Sequence, residues 1–192
     1  MPFVTIIIPY KSNLKYLFLA LNSVFNQSYK NFKLIIIYDN IYKIDLEKIK
    51  IFLKKKKYLK KYNIKIIVNK KNLGAGESRN IAIRKSNTKY IAFLDSDDIW
   101  SKNKLKIQVE HMEKNNISFS HTSYNIISSN NKILSYQIAK NEIFFKDLIK
   151  SCDIGLSTVI LKSNLLNKNK IFFPKINTKE DYVLWLKIIK KI

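Results

Sequence analysis

Apolar residues open this chain in short bursts, each closed by polar residues. Val4 to Ile8 is the first, ended by Pro9, and it predicts a buried strand. Leu14, Leu17, Phe18, Leu21, Val24 and Phe25 then recur at helical spacing, with Ser12 or Asn13 placed to cap the helix. Leu34 to Ile37 predicts a second strand, ending at Tyr38-Asp39-Asn40. A lysine-rich helix is expected over about Leu46 to Lys61, its run Lys54 to Lys57 a solvated face. Ile64 to Val68 is a third strand. Asn72 to Gly76 reads as a loop leading into a helix through about Lys85, and Tyr90 to Leu94 as a fourth strand.

This alternation argues an α/β fold with a central, mostly parallel sheet flanked by helices. Ligands of such sheets bind beyond the carboxyl ends of the strands. The polar clusters fall at those ends: Pro9-Tyr10, Asp39, and Asp95 to Asp98. After Ser101 a helix is expected to Glu113, and the pattern then becomes less regular. Ile117 to Phe119, Tyr124 to Ile127 and Thr158 to Leu161 are candidate strands, and Glu180 to Ile192 a helix.

Length and composition fit one domain, residues 1–192, with 46% hydrophobic residues for a core and too few Gly and Pro for a low-complexity chain. No run approaches the roughly 18 apolar residues of a membrane span. The opening residues lack the pattern of a signal peptide. Cys152 is the only cysteine, which fits a reducing cytoplasm. The formal net charge of +22 is nearly all lysine, spread along the chain. It reads first as compositional bias, second as attraction to an anionic membrane surface. Without an arginine–aromatic cluster it gives little support to nucleic-acid binding. The pattern says nothing of oligomeric state.

Three clusters carry candidate chemistry. Asp95-Ser96-Asp97-Asp98 sets three carboxylates within four residues, where they repel one another unless a cation neutralises them. Mg²⁺ or Mn²⁺ takes such oxygen ligands and shares them with substrate phosphates. The alternative is that Asp97 and Asp98 cap the next helix. Gly74-Ala75-Gly76 before a helix admits close approach of a ligand, with Arg79 in reach of a phosphate, or simply supplies a turn. Glu180-Asp181 opens an amphipathic helix, as a cap or as a general base.

The chain resembles the inverting family 2 glycosyltransferases of the GT-A, Rossmann-like fold. The likeness rests on five motifs in order: Val4 to Tyr10, Leu21 to Tyr29, Asn72 to Asn80, Asp95 to Asp98 as an Asp-x-Asp-Asp, and Glu180-Asp181 with Trp185. It implies that Pro9, Tyr10 and Asp39 line a nucleobase pocket, that Arg79 contacts the nucleotide, and that Asp95 lies near the ribose. Asp97, with Asp98, would hold Mn²⁺ or Mg²⁺, and Asp181 would be the base in a single in-line displacement. Residues 1–100 would form the nucleotide-sugar half and 101–192 the acceptor half.

By the same resemblance the donor is a nucleotide sugar, UDP-linked by family expectation. The acceptor is a glycan or lipid-linked glycan in surface polysaccharide synthesis, at the inner face of the plasma membrane. The second strand ends Tyr38-Asp39-Asn40-Ile41 where the family often has two acids and Gly-Ser, so the base pocket is expected to differ. The sequence stops seven residues after Trp185, which reads as a shortened C-terminus. The competing expectation is a weak or inactive nucleotide-sugar-binding protein or adaptor.

Overall fold

The computed structural model describes residues 3–130 and 132–191. Four parallel strands form its frame: β1 (Val4–Tyr10), β2 (Phe32–Tyr38), β3 (Asn63–Val68) and β4 (Tyr90–Phe93). Further along come β5 (Phe119–Ser120), β6 (Tyr124–Ile127), β7 (Ile133–Gln137) and β8 (Ile160–Lys162). The main sheet runs β3-β2-β1-β4-β8-β5, with β8 antiparallel to both of its neighbours. Strands β6 and β7 form a separate antiparallel hairpin.

Helices cover both faces of the sheet at β1, β2 and β4, which is why these strands read as apolar runs, while the edge strand β3 stays partly exposed. Val4, Ile6, Ile8 and Tyr10 of β1 face one layer, and Ile7 faces the other. The first layer is filled by α1 (Leu14–Phe25), α2 (Ile44–Lys55) and α5 (Lys104–Lys114) through Leu17, Leu21, Ile49, Leu53, Leu105 and Met112. The second takes Ala82 and Ile83 from α4 (Gly74–Arg84) and Leu184, Trp185 and Ile188 from α8 (Glu180–Ile189). Trp185 is fully buried against Phe93, Phe119 and Phe173. The motif's tryptophan is thus a packing residue.

Several expected boundaries move. The lysine-rich helix breaks: α2 ends at Lys55, Lys57 turns left-handed at φ 56°, and α3 (Tyr58–Lys61) follows. The break lets Tyr58 stack on Phe25 and Tyr62 on Phe32. Asn13 stands at the start of α1 with φ 72° and no capping bond from its side chain. Strand β8 begins only at Ile160, because Leu156–Thr158 form a 3-10 turn. Strand β7 and the short helices α6 (Phe145–Lys150) and α7 (Ser163–Asn167) were not predicted. The expected end of the last helix, Ile192, lies outside the described residues. Among those residues no helix is long and apolar enough to cross a membrane.

Candidate active site

Strand β4 delivers Asp95 to the carboxyl edge of the sheet, and α4 brings Arg79 against it. Arg79 Nη2 donates to Asp95 Oδ1 at 2.6 Å, and Nη1 donates to Glu180 Oε1 at 2.9 Å. The guanidinium lies over the Phe173 ring at 5.3 Å, and the side chain is almost wholly buried. A planar fork serves two carboxylates in different directions, which a lysine point charge does less well. Arg79 was expected to contact a nucleotide. In the structure both Nη groups are engaged by acids, and the buried Nε has no partner among the described residues.

The glycines serve this junction. Gly74 has φ +81°, a left-handed conformation that side chains rarely adopt. A Cβ on Gly76 would lie 3.2 Å from Glu180 Cγ and 3.4 Å from Phe173 Cβ. The close approach that Gly76 permits is therefore to α8, not to a ligand, and both glycines belong to the first turn of α4.

At the end of β2, Asp39 is buried and well supplied with donors. Its Oδ1 accepts from Asn69 Nδ2 at 2.7 Å and Leu73 N at 2.8 Å, and Oδ2 accepts from Gly74 N at 2.8 Å. It ties the β2 edge to the start of α4. The Tyr10 hydroxyl donates to Asp45 Oδ2 at 2.8 Å, within the layer that holds α2. Burial, then the bond to Asp45 and its charge, push the Tyr10 hydroxyl far above the ordinary tyrosine range. Pro9 is buried beside it. The expected base-lining role needs correction for the Tyr10 side chain, which is sealed in the core because its hydroxyl finds a carboxylate there.

Asp97 and Asp98 are exposed and line a cleft of about 790 Å³. Its other walls come from Trp100, the β6 residues and the turn Gly155–Thr158. Neither acid caps a helix, since α5 starts only at Lys104. Ser157 pins their loop: its hydroxyl accepts from Asp95 N at 3.0 Å and donates to Asp98 Oδ2 at 2.6 Å. Trp100 Nε1 donates to the Ser157 carbonyl at 2.7 Å. Loss of water raises the Asp98 carboxyl above its usual range; the Ser157 bond opposes this, and the charges of Asp95 and Asp97 add to it. Among the described residues, no lysine or arginine forms an ion pair with Asp97 or Asp98. Nor do three metal-ligating side chains converge among the described residues. Asp95 has turned to Arg79, so the acid triplet splits.

Asp181 begins α8 next to the carboxylate that Arg79 holds. Burial, reinforced by Glu180, raises it above the ordinary range, against the Tyr182 backbone bond and Arg79. A base with a raised value is better matched to removing a hydroxyl proton near neutrality. Sequence reasoning missed three site residues. Ser157 carries no local signal. Glu180 was seen only as a partner of Asp181. Lys104 was hidden among many lysines, yet it lines the cleft, is 8% exposed, and its Nζ has no hydrogen-bond partner among the described residues. Burial lowers it well below the ordinary lysine value, and it sits over the Trp100 ring at 4.2 Å.

Comparison with known proteins places this geometry. The pattern described as "Glycosyl transferase family 2" matches residues 5–172. The Escherichia coli UDP-Glc:alpha-D-GlcNAc-diphosphoundecaprenol beta-1,3-glucosyltransferase WfgD is 40% identical over 171 residues, covering 89% of this chain and 63% of that protein. The chain thus spans under two thirds of that relative. S. aureus TarS 1-349 in complex with UDP-GlcNAc superposes with a TM-score of 0.76 at 22% identity, covering 95% of this chain and 52% of that one. The mannosyltransferase PcManGT from Pyrobaculum calidifontis, in complex with GDP-Man and Mn2+, gives 0.73 at 14% identity, covering 97% and 52%. These two structures speak for the fold.

Proposed function

The chain belongs to glycosyl transferase family 2, and from that premise we propose that it is an inverting transferase moving a sugar from a UDP-sugar to a hydroxyl of a lipid-linked glycan. The observation that carries the reading is the contrast at the end of β4. Asp95 is neutralised by Arg79, while Asp97 and Asp98 face the cleft with no cationic partner among the described residues. The relative named for a diphosphoundecaprenol-linked acceptor supports the acceptor class.

The donor set suits a hard divalent cation. Two carboxylates on one turn offer oxygen ligands, and the charge of Asp97 adds to the cost of ionising Asp98. Asp97 and Asp98 would hold Mn²⁺ or Mg²⁺, and the remaining positions suit phosphate oxygens and water. When bound, the ion would neutralise charge developing on the departing diphosphate. The chain does the rest. Asp39 and the backbone after Pro9 and Tyr10 would wall the nucleobase. Asp95, which gives Arg79 only Oδ1, would turn Oδ2 to the ribose. Asp181 would take the acceptor proton as the hydroxyl attacks the anomeric carbon from the face opposite the diphosphate. Arg79 acts as a positioning residue, because it ties α8, which carries Asp181, to the loop that carries Asp97. Residues 1–100 form the donor half and 101–192 the acceptor half.

Thermal melting with nucleotide sugars, with and without Mn²⁺, tests the reading. A ligand that binds the folded state raises the midpoint by mass action. UDP-sugar with Mn²⁺ is expected to stabilise the wild type, and Asp97→Ala to remove the gain while leaving the unliganded midpoint in place. An unchanged gain in Asp97→Ala refutes the metal role. Detectable transfer by the 192-residue chain separates this reading from a binding-only protein.

A further inference from the structure

Among the described residues, the hairpin β6–β7 pairs with itself and makes no ladder with the main sheet. A lone two-stranded ribbon is marginal in water, and this one carries the wrong surface for it. Ile133, Leu134, Tyr136 and Ile138 are each between 58% and 69% exposed. Just beyond, Phe144 and Ile149 at the start and within α6 are exposed by more than half. Scattered exposed apolar residues are normal, but a run of this density marks an interaction surface. Lys132, Lys140, Lys146 and Lys150 are exposed among them, and Glu142 and Asp147 offset part of that charge. The chain as a whole carries +22.

We propose that this hairpin and α6 form a docking surface for an anionic lipid bilayer, inserting apolar side chains among headgroups while lysines hold the phosphates. Apolar insertion together with basic charge is the combination that holds a protein on such a surface. Continuity with the cleft favours a bilayer as occupant. Tyr124 to Ile127 of β6 line the cleft that contains Asp97 and Asp98, so the ribbon that rests on lipid also walls the catalytic opening. A lipid-linked acceptor would then reach the acids without leaving the membrane surface. The proposal rests on the lipid-linked acceptor named above.

The test uses the full chain with vesicles of phosphatidylcholine alone and vesicles containing phosphatidylglycerol. The wild type is expected to sediment with the anionic vesicles. A variant combining Ile133→Ser, Leu134→Ser and Tyr136→Ser is expected to bind them about tenfold less tightly. Its unliganded melting midpoint and its response to UDP should be kept. In a separate variant, Tyr136→Trp, emission should shift to the blue on anionic vesicles and be quenched by brominated acyl chains. Equal binding by the triple variant, or an unquenched tryptophan, overturns the proposal, leaving only charge spread over the chain. So does a triple variant that converts an oligomer to a monomer with vesicle binding intact, which makes a second copy the occupant. Transfer to a water-soluble acceptor reads the function separately. Transfer without vesicle binding sinks the surface alone, and vesicle binding without transfer to any acceptor sinks the functional reading alone.

Discussion

Two groups of carboxylates flank the end of β4, and the fold treats them in opposite ways. Asp95 and Glu180 close on the buried Arg79 fork, and Asp39 nearby is filled by backbone and amide donors. Asp97 and Asp98, two and three residues further on, face open space with only Ser157 at hand. The same side-chain chemistry is architectural where a donor meets it and available for a ligand where none does. Asp181 is a third case: burial raises it, and no lysine or arginine among the described residues forms an ion pair with it.

That contrast can be broken most severely at Asp181. Asp181→Asn should lower transfer by about 10²- to 10⁴-fold, the usual contribution of a general base, and keep the donor-induced rise in melting midpoint. Because its folded value is raised, the proton is held more tightly in the folded state. The stability this contributes is complete at low pH and is lost as pH rises through the raised value. At neutral pH the variant should therefore be no less stable than the wild type, and the acid limb of the wild-type rate profile should lie above the ordinary aspartate range. A variant that melts early would move Asp181 into the architectural group.

Arg79→Ala should act on stability instead. Removing one partner leaves Asp95 and Glu180 short of water and unpaired, at a cost of about 3–5 kcal/mol. Denaturant unfolding measures it, and Arg79→Lys should restore part. A variant of full stability that no longer binds UDP would make Arg79 a nucleotide contact after all.

Lys104 is the reverse case, a buried amine with no acid beside it among the described residues. Lys104→Met should stabilise the fold by about 1 kcal/mol, as replacement of poorly compensated buried charge does. Its lowered value makes the unfolded chain bind the proton more tightly, so wild-type stability should climb as pH rises toward the ordinary lysine value. The climb should flatten in the variant; a climb of the same slope would place the effect elsewhere. The smallest effect is expected at Tyr10→Phe. Losing the bond to Asp45 should cost about 0.5–1.5 kcal/mol in denaturant unfolding, with UDP affinity unchanged. Weaker UDP binding would return the Tyr10 hydroxyl to the base pocket.

Much of the frame was legible in the chain. Strands β1, β2 and β4 lie under helices on both faces, so their apolar bursts stand out, and the acids could be placed at the strand end. What each acid touches was not legible. Arg79 meets Asp95 across 16 residues and Glu180 across 101, and no local pattern carries that distance. Gly76 read as a place for close approach of a ligand, because close approach leaves the same mark whichever neighbour approaches. Strand β7 escaped notice because both its faces are exposed, so Ile133 to Gln137 lack the alternation that one-sided burial imposes. Lys104 was lost in a chain that uses lysine everywhere.

Strand β8 comes from the later half of the chain and is hydrogen-bonded between β4 and β5. The halves named for donor and acceptor are therefore stitched into one backbone ladder. Swinging them apart like a clamshell would tear that seam. On the proposed reading, substrates are expected to enter at the rim, beside the turn at Ser157 and the ribbon, over a floor that the β4-β8-β5 ladder holds together.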